Sequence, residues 1–190
     1  DLTGTANLTN WWRMGDDASD DLTGTTGVIN DQVGSLDLTP FNTTSANKLA
    51  DVPYGNLKSV DFSGADHTGV LTADPKDPAG TSNGSIYDAL EYNRPFSFSF
   101  WVKTNNLTSE SRWTIGKYIS TGIAVMIRQG NVYCLLRDAS GRIDVETKAT
   151  SLNDSAWHSV TVVYDGTGAP GTPVGDHSTG VNDAISGNCF

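Results

Sequence analysis

The sequence predicts an all-β chain in which two antiparallel sheets pack as a sandwich or jelly roll. Three observations predict it. Pro95–Lys103, PFSFSFWVK, alternates without a break: Phe96, Phe98, Phe100 and Val102 on one face, Ser97, Ser99, Trp101 and Lys103 on the other. That period of two marks a half-buried strand. Short alternating stretches recur along the chain, each closed by Gly, Asn, Asp or Ser, as in sandwiches and barrels. The composition agrees, with 20 glycines and only 18% charged residues. A length of 190 residues suits one β domain, since such units run to ~200–250 residues.

Asp1–Asn10 reads as a lead-in. Trp11–Met14 is a short strand closed by Gly15. The acidic loop 16–27 follows, and 28–34 reads as a brief strand entering a turn. Leu36 and Leu38 alternate with Ser35, Asp37 and Thr39 as another strand. Residues 40–56 form a polar loop. Leu57–Phe62 is a strand, and Gly69–Thr72 its continuation or its partner. Asp74-Pro75 and Asp77-Pro78 break regular structure. Residues 85–92 fit a strand or a helical turn equally.

Pro95 opens the central strand, where its missing N–H does no harm. Three phenylalanines in one row require a large apolar layer, each contributing about 1.5–3 kcal/mol on burial. Phe98, mid-row, is expected to be fully buried. Residues 113–117 are a strand. Residues 122–129 pair with 132–137 across Gly130-Asn131, a two-residue hairpin signal. Residues 142–148 and 157–164 are the last strands. Beyond Asp165-Gly166 the periodicity stops, and Pro170 and Pro173 remove ladder donors. The domain is therefore placed at 1–168, with an irregular tail over 169–190. That tail either straps the sheets or leaves an edge for a neighbouring chain.

The net charge is −10 and no basic patch is visible, so nucleic acid is not an expected partner. No run is long enough to insert into a bilayer. No signal peptide opens the chain, so it is expected to be processed, internal to a longer protein, or exported with an assembly. Cys134 lies in an apolar strand and reads as a small core residue. A Cys134–Cys189 disulfide stays open.

Five stretches carry a resemblance: WWRMGD (11–16), INDQVGS (29–35), SVDFSGADH (59–67), FSFSFWVK (96–103) and WHSVTVVYDGTG (157–168). In this order they resemble the laminin-G-like branch of the concanavalin-A-like lectin/glucanase superfamily, over about residues 10–168. The resemblance implies a jelly roll of two curved antiparallel sheets in an extracellular or surface-displayed module that binds glycans or proteins. The opening WWRMGD also resembles modules in structural proteins of tailed phages. The family pattern continues past the Trp-His strand with a further hairpin that residues 169–190 lack.

Arg142–Glu146, RIDVE, resembles the Glu-φ-Asp-φ-Glu motif of laminarinase-type glucanases. Retaining hydrolysis needs two carboxyls ~5–5.5 Å apart, which alternate strand positions supply. Arg142 occupies the nucleophile position, and a guanidinium cannot attack an anomeric carbon. An exposed charged face is the plainer reading, and no catalytic residue is assigned. His158 shares a face with Val160 and Val162 and reads as a satisfied core or interface histidine.

Calcium is the candidate cofactor. It takes six to eight oxygen ligands, and Asp16, Asp31, Asp66 and Asp165 all stand in family-like turns. Against this, Asp is a common turn residue. The ligand-binding candidates are Trp11, Arg13 and Trp101. If Trp12 follows Met14 into the core, Trp11 sits outside with Arg13, while Trp101 lies opposite the phenylalanine row. Five Asn-x-Ser/Thr sequons occur, at Asn7, Asn42, Asn83, Asn106 and Asn153.

The sequence therefore points to a non-catalytic lectin-like module on a cell or virion surface, binding a glycan or other surface ligand for adhesion or decoration. The alternative is a structural assembly protein of a viral shell or fibre, whose partners are neighbouring chains. A glycoside hydrolase ranks third.

Overall fold

The computed structural model describes residues 2–53, 55–62, 69–72, 95–105, 112–118, 122–137, 142–147 and 152–164. The tail, Asp66, Asp165, Cys189 and the ambiguous 85–92 lie outside them. The chain divides into two compact units, Asp1–Ser85 and Ile86–Phe190. The described elements are antiparallel strands and two single-turn 3-10 segments, so the all-β expectation holds.

In the first unit, β1 (Leu38–Phe41) pairs with β4 (Gly69–Thr72), and β2 (Lys48–Leu49) with β3 (Ser59–Val60), all antiparallel. Leu22, Ile29 and Leu38 form its core, with Trp12, Met14 and Val60 packed against them. Trp12 does follow Met14 inward, and its indole N–H donates to the Leu36 carbonyl at 2.7 Å. The strands here are shorter than the sequence suggests, because carboxylates take the N–H groups a ladder would use. Trp11–Met14 is no strand: Trp12 alone bridges to Asp31. The Trp11 N–H goes to the Asp31 side chain. Positive φ at Met14 (52°) and Gly15 (86°) then ends the extended backbone. Leu57–Phe62 shrinks to Ser59–Val60, since Leu57 and Lys58 donate to Asp16. Gly69–Thr72 partners β1 rather than the 57–62 stretch. The supposed loop 40–56 holds β2 and a 3-10 turn, Ser45–Asn47, closed by a capping box on Thr44.

The second unit is the sandwich. One sheet runs β6 (Arg112–Tyr118), β7 (Gly122–Arg128), β8 (Asn131–Arg137), β9 (Arg142–Glu146) in chain order. The other pairs β5 (Phe96–Lys103) with β10 (Trp157–Tyr164) in unbroken register, Phe96 opposite Tyr164 and Lys103 opposite Trp157. Between them pack Ile123, Val125, Cys134, Leu136, Val160 and Val162, with the β5 row against this core. Hydrophobic burial of this kind is the main stabilising term of such a unit. Ala124, Met126 and Leu135, on the other face of β7 and β8, are buried as well. That explains the nearly continuous apolar run GIAVMI.

The β7–β8 turn sits one residue earlier than the sequence suggests. Arg128 pairs with Asn131, so the two-residue loop is Gln129-Gly130, with φ of 52° and 80°. Those signs fit a type I′ turn, whose twist matches that of the flanking strands.

Phe98 corrects another expectation. It is half-buried, as are Phe96 and Phe100. Among the described residues β5 pairs only with β10, so the row is covered from the β10 side and by the opposite sheet. The rings still stack, Phe96 on Phe98 at 5.9 Å and 7° and Phe98 on Phe100 at 6.5 Å and 22°. Full enclosure would make Phe98→Ala cost ~3–5 kcal/mol. Half-burial lowers the expected loss to about 2–3 kcal/mol. A urea midpoint unchanged from wild type would show that the row carries no packing energy.

Candidate functional site

Two constellations follow from this architecture. The first is the set of aspartate turns in the first unit. Asp16 is enclosed, its side chain 3% exposed. Its Oδ1 accepts the Leu57 and Lys58 N–H groups, and its Oδ2 pairs with the Arg13 guanidinium. Asp31 closes the Asp-x-x-Gly turn: Oδ1 accepts from the N–H groups of Trp11 (2.9 Å), Val33 (3.2 Å) and Gly34 (3.0 Å). Its Oδ2 accepts from Asn10 Nδ2 (2.6 Å) and the Leu36 N–H (3.2 Å). Gly34 is required by close approach, since a Cβ there would lie 2.6 Å from both Asp31 Oδ2 and the Thr9 carbonyl oxygen. Asp20, which sequence reasoning passed over, accepts from the Gly15 N–H and, through Oδ1, from the Asn30 backbone and side chain. Lys48 Nζ donates to the Asp20 and Asp17 carbonyls at 2.9 and 3.3 Å.

As held here, Asp16 and Asp31 do not fit a calcium ion. Calcium needs oxygen lone pairs turned toward it, and these carboxylates spend theirs on N–H donors. Arg13 and Lys48 already bring positive charge into the acidic loop. Among the described residues no three His, Cys, Asp or Glu side chains converge.

Burial pushes the Asp16 carboxyl up, but the Leu57 N–H, Arg13 and the Lys58 N–H outweigh it, leaving the group below the usual aspartate value of 3.8. Asp31 behaves alike: burial raises it, and the Trp11, Asn10, Gly34 and Val33 donors bring it below 3.8. A carboxylate depressed on folding stabilises the fold above its unfolded pKa, and that contribution is lost as pH falls through the folded value. The Trp12 indole N–H resonance should therefore stay dispersed above pH 3.8 and disappear only on further acidification. Its loss near neutrality would contradict this.

Trp11 and Arg13, both ligand candidates, are brought together. The Arg13 guanidinium carbon lies 5.9 Å from the Trp11 ring centroid, a cation–π distance. Both are half-buried, and Arg13 is committed to Asp16. The pair reads as packing that braces the turn.

The second constellation is the outward face of β5 and β10. The registered rows are Ser97 with Val163, Ser99 with Thr161, Trp101 with Ser159, and Lys103 with Trp157. Trp101 is 50% exposed, the most exposed aromatic ring among the described residues. Ser99 Oγ lies 3.3 Å from the Val160 carbonyl and 3.0 Å from Thr161 Oγ1. If Ser99 donates to that carbonyl, Thr161 donates to Ser99, and both hydroxyl rotors are set. A flat indole beside ordered hydroxyls can stack on the apolar face of a sugar ring while exchanging hydrogen bonds with its rim. Sequence reasoning found Trp101 but missed Trp157, Ser159 and Thr161. Their membership depends on a pairing some 60 residues apart (61 for Ser99 and Val160), which no local pattern reveals.

His158 faces inward opposite Val102 and is satisfied, with Nε2 2.9 Å from Asp154 Oδ1. Glu146, at the general-acid position of the glucanase-like motif, accepts from Asn131 Nδ2 at 3.1 Å.

A family model described as the concanavalin A-like lectin/glucanases superfamily, of laminin G type, matches residues 78–172, half of the chain. The chain belongs to this superfamily. The matched stretch holds β5 to β10, every described strand of the second unit. Searches of curated proteins and of solved structures returned no match. The superfamily's description spans sugar-binding lectins and sugar-cleaving glucanases alike.

Proposed function

We propose that this chain is a non-catalytic lectin-like module that binds a glycan on the outward β5–β10 face, at a cell exterior or particle surface. The observation that carries the reading is Trp101, half-exposed on a regular strand amid Ser97, Ser99, Ser159 and Thr161. A rigid strand holds the indole with little entropy left to lose on binding. The non-catalytic part rests on Arg142 at the nucleophile position, since a guanidinium cannot attack an anomeric carbon.

A glycan array probed with wild type and Trp101→Ala tests it. Wild type should mark a defined group of sugars. Trp101→Ala should weaken that binding on the order of 30-fold, the effect of losing a ~2 kcal/mol aromatic anchor, with an unchanged melting temperature. A silent array with a large subunit interface would favour a structural assembly role. Release of reducing sugar from β-glucan, abolished by Glu146→Gln, would establish a hydrolase.

A further inference from the structure

We infer that Lys48 is the resident cation of the acidic loop 16–21, so that this loop is held by a side chain of β2 and not by a calcium ion.

The loop carries Asp16, Asp17, Asp20 and Asp21. So many like charges in one turn repel each other unless a positive charge stands nearby. Each carboxylate is already engaged by its own donors. Asp16 holds Arg13 and the Leu57 and Lys58 N–H groups. Asp17 accepts from the Ser19 N–H and hydroxyl, and Asp21 from those of Thr23. Asp20 accepts from the Gly15 N–H and from Asn30. What converges on one point is the main chain instead. The Asp17 and Asp20 carbonyls both accept from Lys48 Nζ, at 3.3 and 2.9 Å.

Carbonyl oxygens are also the ligands a hard cation takes from a loop. Here an ammonium, with three donors, spends two of them there. Its charge reaches the carboxylates as well. The Ser19 donors hold Asp17 below the usual 3.8, with Arg13 and Lys48 adding to this through space. The Thr23 donors do the same for Asp21, again with Lys48 adding to it.

The fold delivers this lysine from 31 and 28 residues away. Lys48 pairs with Val60 in the β2–β3 ladder, and its stem passes over Gly15. A Cβ at Gly15 would stand 3.4 and 3.5 Å from Lys48 Cε and Cγ, so the stem runs against the backbone that enters the loop. A tethered charge differs from a bound ion in a measurable way. Stability supplied by a free ion rises with its concentration, whereas a side chain of the same chain is always present at its site.

The test uses the whole chain, isotope-labelled for amide spectra. Adding calcium to wild type, or removing it with a chelator, should leave the backbone amide shifts of residues 16–21 unchanged. The melting of the Trp12 indole N–H resonance should not move either. Lys48→Met keeps the stem and removes the charge. It should displace those amides and lower that melting temperature by about 4 °C. Lys48→Arg, which keeps a charge and several donors, should recover most of both. A saturating calcium shift at residues 16–21 in wild type would overturn the inference without any variant. So would a Lys48→Met protein whose loop amides and melting match wild type, or a Lys48→Arg protein no better than Lys48→Met.

Discussion

Asp16→Ala should unfold the first unit or leave it marginal, at a cost of about 3–5 kcal/mol. The figure is that for breaking a buried ion pair and stranding its partner. Here the loss is threefold, because Leu57 N–H, Lys58 N–H and the Arg13 guanidinium all lose their acceptor. A fully buried donor left unmet costs ~1–3 kcal/mol; these three are part-buried, so each contributes toward the lower end. The bond also spans 41 residues, so it staples the acidic loop to the segment entering β3. Asp16→Asn separates charge from geometry. It keeps one acceptor oxygen for the backbone N–H groups but turns an amide NH₂ toward Arg13. Its stability should fall between wild type and alanine. Urea denaturation followed by the Trp12 indole N–H resonance reads both variants. An alanine variant within ~0.5 kcal/mol of wild type, the range of ordinary surface changes, would show that Asp16 holds nothing together.

Val125→Asp should abolish folding of the second unit. Val125 is 0% exposed, at the centre of β7 between Ile115 and Cys134 in register. Its side chain sits in the layer shared by both sheets. A carboxylate there must stay charged without a partner or take up a proton, and either route costs several kcal/mol. A domain of this size holds only ~5–15 kcal/mol in total. Val163→Asp is the matched control, since Val163 is 42% exposed on the outward face of β10. It should change stability by less than ~0.5 kcal/mol. Amide proton dispersion of the two variants checks the pair, and a well-dispersed Val125→Asp spectrum would mean that the layer is not a dry core.

Much of the sandwich was legible because its strands carry their faces in their own sequence. Phe96–Lys103 and Trp157–Tyr164 start and stop where the alternation does. The first unit was less legible, for a physical reason. Its backbone donors go to Asp16, Asp20 and Asp31, and a long-range carboxylate acceptor leaves no periodicity to read. Asp16 and Asp31 looked like metal ligands because turn-forming and cation-binding loops draw on one residue type. What separates the uses is the direction of the lone pairs, which belongs to three-dimensional structure. The outward β5–β10 face was half legible: Trp101 and its serines share one strand, while Trp157 and Thr161 join them only through the β5–β10 register.

That register also sets an order of assembly. The β6–β9 meander joins neighbours in the chain through short connections, so little loop-closure entropy opposes it. The clasp of β5 and β10 brings together residues such as Ser99 and Val160, 61 apart, and waits until the meander has shortened the distance between them. During synthesis the phenylalanine row of β5 emerges long before its partner. For that interval three aromatic rings and an unpaired strand edge face water, the kind of surface that chaperones hold and that neighbouring nascent chains can capture. The alternating serines, which later face the solvent beside Trp101, keep that waiting strand polar on one side. The residues proposed to meet a ligand in the finished fold thus also temper the stickiness of the unfinished one.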